Sequence, residues 1–193
     1  MQDQIKEIKS RPKLLLHSCC GPCSSACIER LSQYFDITIF YYNPNIYPKQ
    51  EYEKRLSTQE QLVKNFQNIR VTSLPYDENQ YLSQVKGLES EREGGARCDK
   101  CFYLRLKKTA QFAKENGYDY FGTTLTVSSH KDEQKVNRIG EEISNEIKIP
   151  FLYADFKKHD GYKRSIELSK QFNLYRQNYC GCRFSIRREI EVR

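Results

Sequence analysis

Apolar positions fall into short continuous runs that alternate with helix-spaced stripes. Leu14-Leu15-Leu16 is an unbroken apolar run that stops at Ser18-Cys19-Cys20, the pattern of a strand covered on both faces. A Gly21-Pro22 turn follows, and residues 24–34 read as a helix. Residues 36–42 are rich in β-branched and aromatic side chains and predict a second strand. The two prolines of Asn43-Pro44-Asn45-Ile46-Tyr47-Pro48 hold the preceding residues extended, making a stiff loop. Pro48 then opens a helix to residue 66, with Tyr52, Leu56, Val63 and Phe66 at helical spacing.

Residues 68–74 predict a third strand, and residues 80–86 a weak helix. The polar, glycine-bearing segment 89–97 reads as a loop, mobile unless a ligand or metal fixes it, that delivers Cys98 and Cys101. Phe102, Leu106, Ala110 and Ala113 trace one face of a helix that stops at Gly117. Residues 119–125 predict a fourth strand, with Thr123, Thr124 and Thr126 hydroxyls at its end. Ser128 or Ser129 caps the next helix, whose buried stripe is Val136, Ile139, Ile143 and Ile147. Residues 150–154 give a fifth strand, residues 155–161 a loop and residues 162–174 an amphipathic helix, before Tyr179-Cys180-Gly181-Cys182 and a basic C-terminal helix. Strands alternating with helices define an α/β fold, a parallel sheet with helices on both faces, in one domain over residues 1–193 with residues 1–12 a flexible N-terminal segment.

Composition adds constraints. A chain of 193 residues, 38% hydrophobic, suits one core. Residues 1–13 lack an apolar core of signal-peptide length, and no later run approaches the roughly 20 apolar residues that span a bilayer. A cytoplasmic protein without a membrane partner is expected. Of the net charge of +7, most lies in residues 157–193, where ten Lys or Arg face four acids. Interleaved with Tyr162, Phe172, Tyr175, Tyr179 and Phe184, this block reads either as a nucleic-acid-facing surface or as a solvated basic face.

Eight cysteines in a chain of this size, without an export signal, favour metal binding or redox catalysis over a disulfide framework. Cys98-x-x-Cys101 at a helix start is a common ligand pair, and Cys19 and Cys20 can turn toward one centre only where the chain bends, as a Gly-Pro turn allows. These four thiols suit a tetrahedral zinc site or a 4Fe-4S cluster. Cys20-Gly21-Pro22-Cys23 also spells a thioredoxin-like dithiol between strand and helix. Cys23 and Cys27, four residues apart on a helix, otherwise read as small core residues. Cys180-Gly181-Cys182 permits a strained, easily reduced disulfide, or two further metal ligands. His17 reads as a core residue with proton donation as its alternative, while His130 and His159 show no ligand spacing.

The motifs H-S-C-C-G-P-C-S, Y-N-P-N-I-Y-P, C-x-x-C-F-x-x-R-L, T-T-L, D-F-K-K, G-Y-x-R-S and L-Y-R-Q-x-Y-C-G-C, spread over residues 14–185, closely resemble the cobalamin-independent epoxyqueuosine reductases, the QueH family. The resemblance implies reduction of epoxyqueuosine to queuosine at the wobble position of tRNA. It implies a 4Fe-4S cluster on Cys19, Cys20, Cys98 and Cys101, a redox-active disulfide between Cys180 and Cys182, and a fold related to adenine-nucleotide-α-hydrolase-like domains without ATP use. The expected partners are tRNA carrying epoxyqueuosine and an external electron donor. Arg105, Tyr175, Arg176, Arg183, Arg187 and Arg188 are the candidate tRNA contacts, and Asp155 a candidate proton donor. A thioredoxin-like reductase and a zinc-binding RNA module are the competing readings.

Overall fold

Strand β1 (Lys13–His17) carries the first apolar run, and its residues from Leu14 onward are buried, so both faces must be covered. The computed structural model describes residues 10–186. In it, β1 lies between β2 (Asp36–Tyr41) and β4 (Tyr120–Thr123), with β3 (Arg70–Ser73) outside β2, all parallel, in the order β3-β2-β1-β4. Successive residues of a strand face opposite ways. Accordingly, Leu15 and Phe40 meet Phe102, Leu106, Ala110 and Ala113 of α4 (Ala96–Glu115) and Val136, Ile139 and Ile143 of α5 (Glu133–Ile147). On the other face Leu14, Leu16, Ile37 and Ile39 meet Cys27, Ile28 and Leu31 of α1 (Gly21–Leu31) and Leu62 of α2 (Lys49–Val63). The short α3 (Glu78–Gln84) packs near α4, and α6 (Gly161–Gln171) lies on α1. Helices therefore cover both faces, as expected.

Several boundaries differ from the sequence reading. Gly21-Pro22 is the first turn of α1 itself, so the bend that parts Cys19 from Cys20 lies just before it, with Cys20 extended (φ −169°, ψ 153°) at the N-cap. Proline is tolerated there because the first helical N–H groups have no partner in any case. Asp132, not Ser128 or Ser129, caps α5, accepting from the backbone N–H groups of Gln134 and Lys135. Helix α4 starts at Ala96, so both Cys98 and Cys101 are helical. The expected fifth strand contributes only the parallel bridge Phe121–Phe151, because the Asn137 side chain then binds both the N–H and the C=O of Ala154 in place of a neighbouring strand. Arg11 and Pro12, counted with a flexible segment, are tied down: Arg11 donates to the carbonyls of Ser32 and Phe35, and Pro12 O accepts from Asp36 N. Of the expected C-terminal helix the described residues hold the 3-10 turn Arg183–Ser185, and the remainder falls on residues 187–193, which, like residues 1–9, lie outside the described ones.

Gly140 lets α5 cross directly over Phe151, where a Cβ would stand 2.4 Å from ring carbons. Overpacking of this kind costs about 1–3 kcal/mol. We expect Gly140→Ala to lower the urea midpoint by a corresponding amount at unchanged slope; an unchanged midpoint would show that the ring yields freely.

Candidate redox site at the switch point

The chain runs outward from β1 to β3 and then returns to place β4 on the other side of β1, which puts the topological switch between the carboxyl ends of β1 and β4. Ligands of open parallel sheets bind outside such a point. A crevice of about 250 Å³ opens there, lined by Cys19 and Cys23 from the β1–α1 joint, Ser128, His130 and Lys131 from the segment after β4, and Arg176, Gln177, Tyr179 and Cys180 from the C-terminal segment. A smaller cleft beside it shares His130, Lys131 and Cys180 and adds Cys98.

The joint is held from below. Ser18 and Ser24 hydroxyls bond each other and Gln59 Oε1 of α2, Asn43 donates to Ser18 O at 2.8 Å, and Thr124 N donates to His17 O at 2.9 Å. Gly21 permits this approach of α1 to α2, since a Cβ there would lie 3.0 Å from Thr58. Cys19 is held well below the usual thiol range because Cys20 and Cys23 donate to it, against burial, with Lys131 and Arg105 assisting. Cys20 and Cys23 are pushed up as those donors, and by burial. Cys20 also accepts from Gln177 Nε2 at 3.1 Å.

A second group of thiols lies at the adjoining cleft and buried apart from it. Cys101 is buried with Cys182 beside Tyr81 and Val85, and burial pushes its thiol up to about 12. Cys98, half-buried, accepts from Gly94 N at 3.2 Å. Arg105 faces both groups. It is 2% exposed, donates to Cys101 O (3.2 Å) and Asn43 Oδ1 (3.5 Å), and keeps a buried Nη2 without a partner among the described residues. Burial opposes its charge, but Cys101, Cys19 and Cys180 outweigh that and hold its pKa up. Lys131 is likewise raised, burial being outweighed by Cys180, Cys19 and Cys23. All eight cysteines are free thiols, and among the described residues no three His, Cys, Asp or Glu side chains are grouped so as to hold a single metal ion.

Other expectations change here. Arg105 is buried among thiols and does not face solvent as a phosphate contact would. Tyr175 donates to Glu51 under the Lys54 ammonium, and Arg183 forms a two-pronged pair with Glu78, so both serve internal contacts, while Arg176 stands at the crevice. Arg187 and Arg188 lie outside the described residues. Segment 89–95 is fixed without a ligand, because buried Arg97 donates to the carbonyls of Leu88, Glu89 and Glu91, and Lys135 bridges Gly94 O and Asp99. Cys27 is core, as expected, and Cys23, packed against the core, also lines the crevice. His130 lines the crevice and Asp155 does not. Gln177 lies in the L-Y-R-Q-x-Y-C-G-C motif, which does not single it out; Lys131, Arg55 and Arg97 carry no sequence signature, and only the position of Lys131 just past the fourth strand marks it.

A parallel sheet whose switch point gathers thiols and two cations is the frame of a thiol-bearing redox enzyme. The model of the family described as epoxyqueuosine reductase QueH matches residues 14–188. Relatives include epoxyqueuosine reductase QueH of Staphylococcus epidermidis, 47% identical over 91% of this chain and 76% of that one, and that of Thermotoga maritima, 36% identical over 90% of each. The chain belongs to the epoxyqueuosine reductase QueH family and is an oxidoreductase. A predicted subunit of a tRNA methyltransferase from Methanocaldococcus jannaschii shares the fold, with a TM-score of 0.50 at 12% identity over 83% of this chain and 74% of that one.

His17, fully buried, bonds Thr123 Oγ1 and Tyr42 O and serves the core rather than proton delivery. Burial first, and Arg105 second, lower its pKa from 6.5 to about 3. Its folded pKa lies below its unfolded one, so the unfolded chain protonates first as pH falls, and His17 withdraws stability between pH 6.5 and about 3. We expect the His17 ring resonances of the metal-free protein to stay unchanged from pH 8 to about 4.5; a titration near neutrality would contradict the burial.

Proposed function

We propose that this protein reduces the epoxide of epoxyqueuosine in tRNA to the alkene of queuosine, with Cys180 and Cys182 as the two-electron reservoir and a 4Fe-4S cluster on Cys19, Cys20, Cys98 and Cys101. The observation that carries the reading is a pair of adjoining clefts walled by Lys131, one lined by Cys19, Cys23 and Cys180 and the other by Cys98 and Cys180. The donor set fits a cluster in kind. Thiols are its customary ligands, and the unpartnered Arg105 Nη2, together with Lys131, supplies cations facing an anionic centre. When bound, the cluster supplies one-electron transfer and a Lewis-acidic iron.

The reaction takes two electrons and two protons: the epoxide oxygen leaves as water, both C–O bonds break, and a carbon–carbon double bond forms. Closing two thiols to a disulfide releases two electrons and two protons, which balances the step. Cys180 at the crevice and Cys182 behind it divide the pair into a member near substrate and a buried one. Arg176 and the exposed Tyr162 stand at the crevice, where a phosphate and an unstacked base would meet them.

The test is anaerobic purification, iron and sulfide analysis, and reaction with epoxyqueuosine-bearing tRNA and a low-potential reductant. Queuosine should form. Cys101→Ser should lose iron, whereas Cys182→Ser should keep iron and yield no queuosine; undiminished turnover in Cys182→Ser would remove the dithiol from the mechanism. Cys23→Ser should retain turnover, which a thioredoxin-like enzyme working through Cys20 and Cys23 would lose. Zinc in place of iron would overturn the cluster. Affinity for tRNA should fall steeply as salt rises, since phosphate contacts release counterions; a flat response would dismiss the basic C-terminal segment from binding.

A further inference from the structure

One buried charge is used by no step above. Arg55 of α2 is 1% exposed, and a guanidinium cannot shed its proton, so the fold must satisfy it. Its Nε donates to Glu51 Oε1 at 2.7 Å, its Nη1 to Cys180 O at 3.1 Å and its Nη2 to Tyr179 O at 3.3 Å. Its face lies 5.1 Å from the Tyr179 ring centroid. Two of its three donor groups thus hold successive carbonyls of a segment about 125 residues further along the chain, immediately before the second thiol of the Cys-Gly-Cys pair.

The rest of that segment is equally bound. Gly181 O accepts from Tyr47 N at 2.8 Å, Gly181 N donates to Ser185 Oγ at 3.3 Å, and Cys182 O accepts from Ser185 N and Oγ at 2.9 and 2.8 Å. Gly181 has φ +126°, a conformation for glycine, and a Cβ there would meet Arg55 Nη1 at 2.9 Å. In this arrangement Cys180 lines the crevice while Cys182 is buried beside Tyr81 and Val85.

We propose that Arg55 is a positioning residue for the thiol pair: by gripping the carbonyls of residues 179 and 180 it presents Cys180 to the crevice, keeps Cys182 behind it, and favours the dithiol over the disulfide. Joining the two sulfurs must turn both side chains toward each other and twist the peptides that Arg55 holds, so the grip opposes closure. Stabilising the reduced form makes the pair a stronger oxidant, with a less negative potential. The proposal rests on reading Cys180 and Cys182 as a redox pair.

The experiment equilibrates the full chain, purified anaerobically, in mixtures of reduced and oxidised dithiothreitol. As the S–S bond forms, the two thiols lose two electrons and two protons, which oxidised dithiothreitol takes up as it opens. Alkylation and peptide mass spectrometry then report the Cys180–Cys182 disulfide. In Arg55→Met the equilibrium constant for disulfide formation should rise at least tenfold, about 30 mV toward more reducing values, and Cys182 should alkylate as fast as Cys180 instead of more slowly. Arg55→Lys keeps the charge beside Glu51 but lacks the planar fork, so it should behave like Arg55→Met; wild-type behaviour would overturn the proposal. Gly181→Ala pushes the segment off an intact Arg55 and should shift the equilibrium in the same direction, which decides the matter if Arg55→Met fails to fold. Unchanged midpoints in the variants, even with lowered melting temperatures, would overturn the positioning role while leaving the redox pair standing. Failure of the wild type to form this disulfide at any buffer poise would instead overturn the redox pair, and the proposal with it.

Discussion

A guanidinium keeps its proton wherever it is placed, so each buried arginine obliges the fold to bring acceptors to it. Among the described residues three arginines are 1–2% exposed, and each draws acceptors from a segment that bears or flanks cysteines. Arg55 holds the carbonyls before Gly181, Arg97 those of the loop before Cys98, and Arg105 that of Cys101 together with Asn43 beside the β1 joint. Removing any one deprives those carbonyls of a charged donor, a larger loss than that of an ordinary hydrogen bond. The thiols of a site drawn from three distant parts of the chain are therefore positioned by charge that the interior cannot leave unsatisfied.

The same cations make the sulfur chemistry feasible. Burial alone raises a thiol's pKa, as at Cys27 and Cys101. At the switch point burial of Cys19 is opposed first by hydrogen bonding from Cys20 and Cys23 and then by the positive charge of Lys131 and Arg105, so its pKa is held down while those of Cys20 and Cys23 are pushed up. The sheet contributes by geometry: parallel strands bring the segments after β1 and β4 side by side, and the C-terminal segment closes the third wall.

How much of this was legible in the sequence depends on the range of the interaction. The central strands announced themselves, because Leu14 to Leu16 can be buried on both faces only inside a sheet, and the motif cysteines marked the site. Residues 150–154 look like a strand by composition, yet Asn137 satisfies Ala154 from a helix, a substitution no local pattern encodes. Arg105 lies next to a cysteine pair in a basic chain and so read as a phosphate contact; its burial follows from the packing of α4 on β1, which its neighbours in sequence do not specify. Arg55 was invisible for the same reason, since its acceptors arrive from the far end of the chain. Cys23 packs against the core as helical spacing predicts, but spacing does not tell that this face also opens on a crevice.

The start of α1 carries one more consequence. Where a parallel sheet hands its first strand to its first helix, exposed N–H groups ordinarily make a hard site suited to the oxygens of a phosphate. Here Pro22 removes one of those donors, Cys20 occupies the N-cap without capping through its side chain, and Cys19 before it and Cys23 within the first turn add two further thiols. The position has been converted from hard to soft. Oxygen anions lose one of their donors, and the helix start presents sulfur, a soft donor, in its place.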